Sequence, residues 1–87
     1  MEIYLTSKFE RAYKRLPKQV KEKAKRREKL FRQNPFHPIL KTHPLHGKYK
    51  DYWSFSIDKS YRIMFQFLDA AGAKVAFINI GTHEIYK

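Results

Sequence analysis

The second half of the chain alternates between apolar and polar side chains, and this period of two constrains the fold most. Residues 49–57 and 61–68 both alternate, which is typical of strands that bury one face of a sheet. Residues 75–80 form a further short segment that is apolar except for Asn79. Turn-forming residues occupy 58–60 and 69–73, between these stretches. We therefore predict three consecutive antiparallel strands here.

The first half of the chain has helical periodicity. Residues 1–5 are predicted as a short strand, and apolar residues then recur every three or four positions over 9–16. Ser7 is expected to cap this first helix. Pro17 ends it and begins a second helix, which Asn34-Pro35 ends. The order β-α-α-β-β-β predicts an α+β domain, with a helical hairpin packed on one face of an antiparallel sheet.

Length and composition narrow the class of protein. Eighty-seven residues suffice for one domain, so 1–87 is expected to be a single unit. The absence of cysteine excludes a disulfide framework and thiolate metal sites. There is no apolar run of ~18 residues and no signal-peptide pattern at the start. We therefore expect a cytoplasmic protein with no membrane partner.

Positive charge is concentrated in the predicted helices. The chain carries 19 Lys and Arg against 8 Asp and Glu, a formal net charge of +11. Residues 8–32 contain twelve of these basic residues and three of the acidic ones. Such a surface attracts a polyanion, nucleic acid first. Lys23, Arg26 and Arg27 are thus candidate RNA-binding residues, although a merely solvated helix face is the alternative.

The histidines could form a metal site and the aromatic residues a base-stacking platform, but their spacing along the sequence disfavours both. Three of the four histidines lie in the proline-rich segment 35–48, predicted to be irregular. Their spacing matches no common metal site, so no metal is predicted. The strand aromatics are predicted to form the core rather than a base-stacking platform. These are Tyr49, Trp53, Phe55, Tyr61, Phe65, Phe67 and Phe77.

Polar residues are predicted to gather on the opposite face of the sheet. Arg62 lies between two core-facing residues, so its side chain leaves the core face, towards small polar neighbours. His83 and Tyr86 follow the last strand, and His43 precedes the first of the three. A guanidinium, two imidazoles and a phenol suffice for RNA cleavage without a metal or other cofactor. The alternative is that Arg62 pairs with a surface acid and the histidines are ordinary loop residues.

Four segments, in order, resemble the RelE/ParE toxin superfamily, and within it the RelE-, YoeB- and YafQ-like mRNA interferases. They are His43–Gly47, Tyr52–Ile57, Tyr61–Phe65 and Ile80–Tyr86. The resemblance implies a type II toxin that cuts mRNA in the A site of the 70S ribosome and is inhibited by a cognate antitoxin. The basic helices are expected to dock on ribosomal RNA. A ParE-type gyrase inhibitor and a non-catalytic RNA-binding module are the alternative functions.

The resemblance also assigns roles by position. Arg62 matches a strand arginine that contacts the scissile phosphate, and His83 matches a C-terminal Arg or His. Tyr86 matches an aromatic residue near the chain end, here assigned to orientation. His43 matches a position that is a glutamate or histidine base in some members. Basic residues that bind the RNA backbone in other members lie near Lys48 and Lys50.

One departure from the family pattern affects the acid–base assignment. YafQ-like members place an aspartate and a histidine on the strand where Ser54 and Ser56 stand here. His43 and His83 are then the only candidates for the pair. We assign His43 as general base and His83 as general acid, and the reverse assignment remains open at this point.

Overall fold

A five-stranded sheet forms the framework of the molecule, and two helices pack on one of its faces. The structure, a computed structural model, describes all residues 1–87. The elements in chain order are β1 (Glu2–Leu5), α1 (Ser7–Lys14), α2 (Lys18–Gln33), β2 (His43–Pro44), β3 (Trp53–Ser56), β4 (Arg62–Phe67) and β5 (Lys74–Gly81). Turns of 3-10 helix lie at Pro38–Leu40, Gly47–Tyr49 and His83–Tyr86. The predicted α+β class and helical hairpin are confirmed. Neither α1 nor α2 has the length and apolar composition needed to cross a bilayer.

The N-cap of α1 differs from the prediction by one residue. Thr6, rather than Ser7, caps the helix: its Oγ1 accepts a hydrogen bond from the Phe9 N–H at 3.2 Å. The same hydroxyl lies 2.9 Å from the Phe77 carbonyl oxygen of β5, to which it donates. The Thr6 hydroxyl therefore caps the helix and also binds a carbonyl of the sheet. The local sequence does not reveal this second partner.

The sheet is mixed rather than wholly antiparallel. Its strand order is β1-β5-β4-β3-β2. β3, β4 and β5 form the predicted antiparallel meander, and β2 pairs antiparallel with β3. β1 instead runs parallel to β5, with Ile3 opposite Val75. Because no hairpin joins β1 to its neighbour, the local pattern did not determine its direction.

The segment before β3 also differs from the prediction. His43–Pro44 form a short strand within a stretch predicted to be irregular. Residues 49–52, predicted as strand, belong instead to turns. Gly47 has a positive φ of 64°, and the Tyr52 N–H donates to the Tyr49 carbonyl at 2.9 Å. Gly47, in the left-handed conformation, starts this turn. Residues 49–52 alternate in polarity as a strand would, but they do not form one.

Aromatic rings fill the space between the helices and the sheet. Phe31 of α2 has no exposed surface, and its ring centroid lies 4.6 Å from that of Phe55 and 4.9 Å from that of Phe65. The Phe77 ring lies 5.8 Å away on the same side. Burial of each such side chain contributes about 1.5–3 kcal/mol. These three strand phenylalanines are core residues, as predicted, whereas Tyr49 lies outside the core cluster.

Candidate functional site

The sheet face opposite the helices carries Arg62 among small residues. Ser56 of β3 and Gly81 of β5 flank Arg62 in the register. Arg62 Nη1 donates a hydrogen bond to Ser56 Oγ at 3.0 Å. No carboxylate lies within ion-pair distance of the guanidinium, contrary to the alternative of a surface ion pair. The serine thus holds one edge of the group, and its other N–H donors remain available to a ligand.

Ser54 connects two more of the predicted site residues. Its side chain is fully buried, and its hydroxyl shares a short hydrogen bond with the hydroxyl of Tyr86. His43 lies directly opposite Ser54 in the pairing of β2 with β3. Tyr86 and His43 therefore meet the sheet at the same residue of β3, two positions from the serine that holds Arg62.

A backbone carbonyl fixes the tautomer of His43. The Nδ1 atom lies 2.9 Å from the Lys41 carbonyl oxygen. Because a carbonyl only accepts hydrogen bonds, this contact requires a proton on Nδ1. In the neutral ring, Nε2 is then free to accept a proton.

The C-terminal turn His83–Tyr86 places Tyr86 against the sheet. A Cβ atom added at Gly81 would lie 2.9 Å from Ile85 Cγ2, closer than van der Waals contact permits. Glycine at this position therefore lets the turn pack tightly on the end of β5. The same residue pairs with Arg62 in the register of β4 and β5, so the turn begins beside the backbone of Arg62.

His83 lies on the rim of the site. Its side chain is 71% exposed, and Nε2 is 3.8 Å from Glu84 Oε1. It makes no hydrogen bond with the other three predicted site residues. It nevertheless follows the strand end that pairs with Arg62. The structure therefore links three of the four residues through the serines of β3 and leaves His83 at the edge.

Three of the five predicted RNA-binding residues stand apart from Arg62. Lys48 and Lys50 are exposed in the turns before β3, and the Lys48 ammonium lies 5.2 Å from the Tyr49 ring centroid. Arg26 is exposed on α2. These side chains are free to meet a polyanion, and none of them lines the Arg62 site.

A depression of about 280 Å³ opens beside Arg62 and adds residues that sequence reasoning missed. Arg27 lines it from α2, which brings one predicted RNA-binding residue to the site. Lys41 and Lys59 line it as well. Lys41 lies in a loop without a motif and Lys59 in a tight turn, so no pattern singled them out.

Asp58 is the one carboxylate that lines this depression. Its Oδ1 accepts from the N–H groups of Ser60 and Tyr61, both at 2.8 Å, and Lys23 Nζ lies 3.4 Å from Oδ2. Burial by itself raises the pKa of Asp58, but these three donors outweigh it and the net pKa is lowered. Asp58 therefore stays ionised, and its contacts are with the turn and with Lys23, the fifth predicted RNA-binding residue.

A larger cavity lies elsewhere in the molecule. It measures about 520 Å³ and lies between α1 and α2 above apolar residues that include Phe9, Tyr13 and Phe77. None of the four predicted site residues lines it. No three His, Asp or Glu side chains converge as a metal-binding group anywhere in the chain. The polar side chains that lie close together are therefore those around Arg62, on the face of the sheet opposite the helices.

Toxins of the RelE-like class have this fold. The chain is similar to the structure of YafQ from E. coli strain BL21(DE3), with a TM-score of 0.79, 22% sequence identity and coverage of 98% of this chain and 96% of that one. A YoeB/ParE toxin from Agrobacterium tumefaciens gives a TM-score of 0.78 at 23% identity, over 95% and 99% of the two chains. A chain of the E. coli DinJ–YafQ toxin–antitoxin complex gives 0.76 at 23% identity, over 97% and 93%. At these identities the likeness establishes the fold.

The family is established by the sequence itself. The model of the family described as "Bacterial toxin of type II toxin-antitoxin system, YafQ" matches residues 1–86. The chain belongs to this family of type II toxins. No curated protein matches the chain significantly. The predicted relationship to the RelE/ParE superfamily is confirmed.

Proposed function

We propose that this toxin is an endoribonuclease that cuts mRNA in the A site of the 70S ribosome by metal-free acid–base catalysis. The supporting observation is the state of Arg62: a serine holds it, no carboxylate neutralises it, and it borders a cationic depression. A guanidinium in this state is suited to a phosphate that gains negative charge during reaction.

His43 is the general base of the proposed reaction. With Nδ1 held by the Lys41 carbonyl, Nε2 takes the proton from the 2′-OH. The 2′ oxygen then attacks the adjacent phosphorus, and Arg62 stabilises the phosphorane. His83 protonates the leaving 5′ oxygen, and Tyr86, held by Ser54, orients the phosphate. The P–O5′ bond breaks to give a 2′,3′-cyclic phosphate and a 5′-OH end.

The remaining basic residues serve binding. We propose that exposed side chains of α1 and α2, Arg26 among them, bind ribosomal RNA and that Lys48 and Lys50 bind the mRNA backbone. Such contacts to phosphates are independent of sequence and weaken with salt. The function places the protein in the cytoplasm, with the ribosomes.

A cognate antitoxin is the expected protein partner. Structures of the E. coli DinJ–YafQ complex and of the RelBE2 complex from Mycobacterium tuberculosis show such partners for related toxins. We extend this arrangement to the present chain. Acidic side chains of the antitoxin would neutralise the cations around Arg62 and exclude RNA from them.

The test is to map transcript 5′ ends after brief induction of the toxin. The proposal predicts new 5′-OH ends in phase with codons, and their loss in an Arg62→Ala, His83→Ala double variant. Lys74→Gln is the control, because Lys74 is exposed at the end of β5 away from Arg62. A double variant that arrests growth as fast as the wild type contradicts the proposal.

Two other experimental results would contradict the proposed activity and indicate a different function. Inhibition of supercoiling by purified gyrase, without transcript cleavage, would indicate a toxin of the ParE type. Tight and salt-sensitive RNA binding in a translating extract whose transcripts stay intact would indicate a non-catalytic module.

A further inference from the structure

We infer that the depression, which Arg62 lines at one side, extends the site to a second phosphate subsite that binds the RNA backbone phosphate adjacent to the one held by Arg62. Lys41, Lys59 and Arg27 are its ligand-binding residues. The inference rests on the proposed function for the identity of its ligand, RNA, and adds a place where a neighbouring nucleotide is held.

The cations of this subsite lack partners within the protein. The ammonium groups of Lys41 and Lys59 donate no hydrogen bond and have no carboxylate within ion-pair distance. Arg27 Nη1 has one long contact, 3.4 Å, to the Ile39 carbonyl oxygen. Asp58, the single acid present, is held by its own turn and by Lys23. The depression therefore keeps a positive potential that an external anion can neutralise.

Buried neighbours fix the backbone under both lysines. Lys41 follows Leu40, which has no exposed surface, and its φ of 52° is uncommon for a residue other than glycine. Lys59 follows Asp58 in a turn anchored by Ile57, which is 1% exposed. The two side chains thus enter the depression from fixed backbone positions on two different loops, which lowers the entropy cost of binding an anion there.

Size and lining favour a phosphate over a base. Pockets that enclose drug-sized ligands measure about 300–1,000 Å³, and this open depression, at about 280 Å³, is smaller. No aromatic side chain lines it, and its hydrophobic residues are Ile39 and Ile57. Proteins that hold single-stranded bases use aromatic rings for stacking. The site therefore offers charge for a phosphate and no platform for a base.

The test measures binding of an RNA that cannot be cut. The probe is a single-stranded hexanucleotide with 2′-O-methyl riboses, and its affinity is followed by fluorescence anisotropy across a series of salt concentrations. Lys41→Gln and Lys59→Gln are each expected to weaken binding about two- to fivefold, as for an exposed ion pair. Each is also expected to reduce the slope of log K against log salt by about one. Lys74→Gln, which removes the same charge at the far end of β5, is expected to leave the slope unchanged.

Three results would overturn the inference. One is an unchanged slope in both variants, and another is an equal change in Lys74→Gln, which would indicate diffuse charge. The third is failure of the wild type to bind the probe at low salt. If, in the first case, the variants also lose affinity for the antitoxin, the depression binds an acidic peptide instead.

The probe separates this inference from the proposed activity. Because 2′-O-methylation blocks attack on the phosphate, binding is measured without any contribution from catalysis. Uncut transcripts in the induction experiment, together with lysine-dependent binding here, would reject the nuclease and retain the subsite. Codon-phased cuts with unchanged slopes would retain the nuclease and reject the subsite.

Discussion

The two faces of the sheet are built in different ways. The face under α1 and α2 is closed by stacked phenylalanines with almost no exposed surface. The opposite face is covered in part by the short C-terminal turn, and its polar side chains are joined by single hydrogen bonds, Tyr86 to Ser54 and Arg62 to Ser56. Burial of apolar area stabilises the first face, whereas polar groups on the second remain available for a ligand. Substitutions on the two faces should therefore affect different properties.

The largest loss of stability is expected on the helical face. Phe31→Ala removes a ring that three other rings surround, so the free energy of unfolding should fall by about 3–5 kcal/mol. That is a large share of the ~5–15 kcal/mol typical of a domain. Urea denaturation followed by Trp53 fluorescence measures it. Phe36→Ala is the control, since Phe36 is 54% exposed and should cost less than half as much. Equal losses would contradict the assignment of the core.

On the polar face, activity should change with little loss of stability. Arg62→Lys keeps a positive charge but loses the planar set of donors, so transcript cleavage should slow by about 10²–10³-fold. The free energy of unfolding should change by about 1 kcal/mol or less, the value of the bond to Ser56. Cleavage in a translating extract and urea denaturation measure the two effects. A stability loss as large as that of Phe31→Ala would show that the faces do not differ in this way.

The sequence predicts the fold well where a pattern repeats. The alternation of 61–68 placed Arg62 on the face away from the core, and the helical spacing of 9–16 placed α1. The same patterns do not encode the direction of β1 or the second hydrogen bond of Thr6, because both depend on β5, some seventy residues away. At residues 49–52 the pattern instead predicts too much, because polar and apolar residues alternate there although the structure has a turn and no strand.

The sequence singles out individual residues of the candidate site but not the contacts between them. The positions of His43, His83 and Tyr86 around the strands, and the resemblance to the family, pointed to these residues. Neither indicated the hydrogen bond between Tyr86 and Ser54, which depends on the path of the chain after Gly81. No local pattern indicated the depression, because its residues come from α2, two loops and two strands that only the fold brings together.

A smaller effect is expected where the C-terminal turn meets the sheet. Tyr86→Phe leaves the fully buried Ser54 hydroxyl without its partner, which should cost about 1–3 kcal/mol. Ser54→Ala in the same chain removes the unsatisfied group, so the double variant should be no less stable than Tyr86→Phe alone. A double-mutant cycle in urea measures this coupling. Additive losses would show that the hydrogen bond does not hold the turn.

The smallest effect is expected at the rim, where Asp58 holds the turn beside the depression. Its pKa in the folded state lies below the ordinary value of 3.8, so ionised Asp58 stabilises the fold above that pH. This contribution is lost as the pH falls through the folded-state pKa. Asp58→Asn keeps an oxygen acceptor for the turn but lacks the charge that meets Lys23. The stability difference between wild type and variant, measured in urea at about pH 7 and about pH 3, should therefore shrink on acidification. A difference that stays constant or grows would mean that the ionised carboxylate does not stabilise this turn.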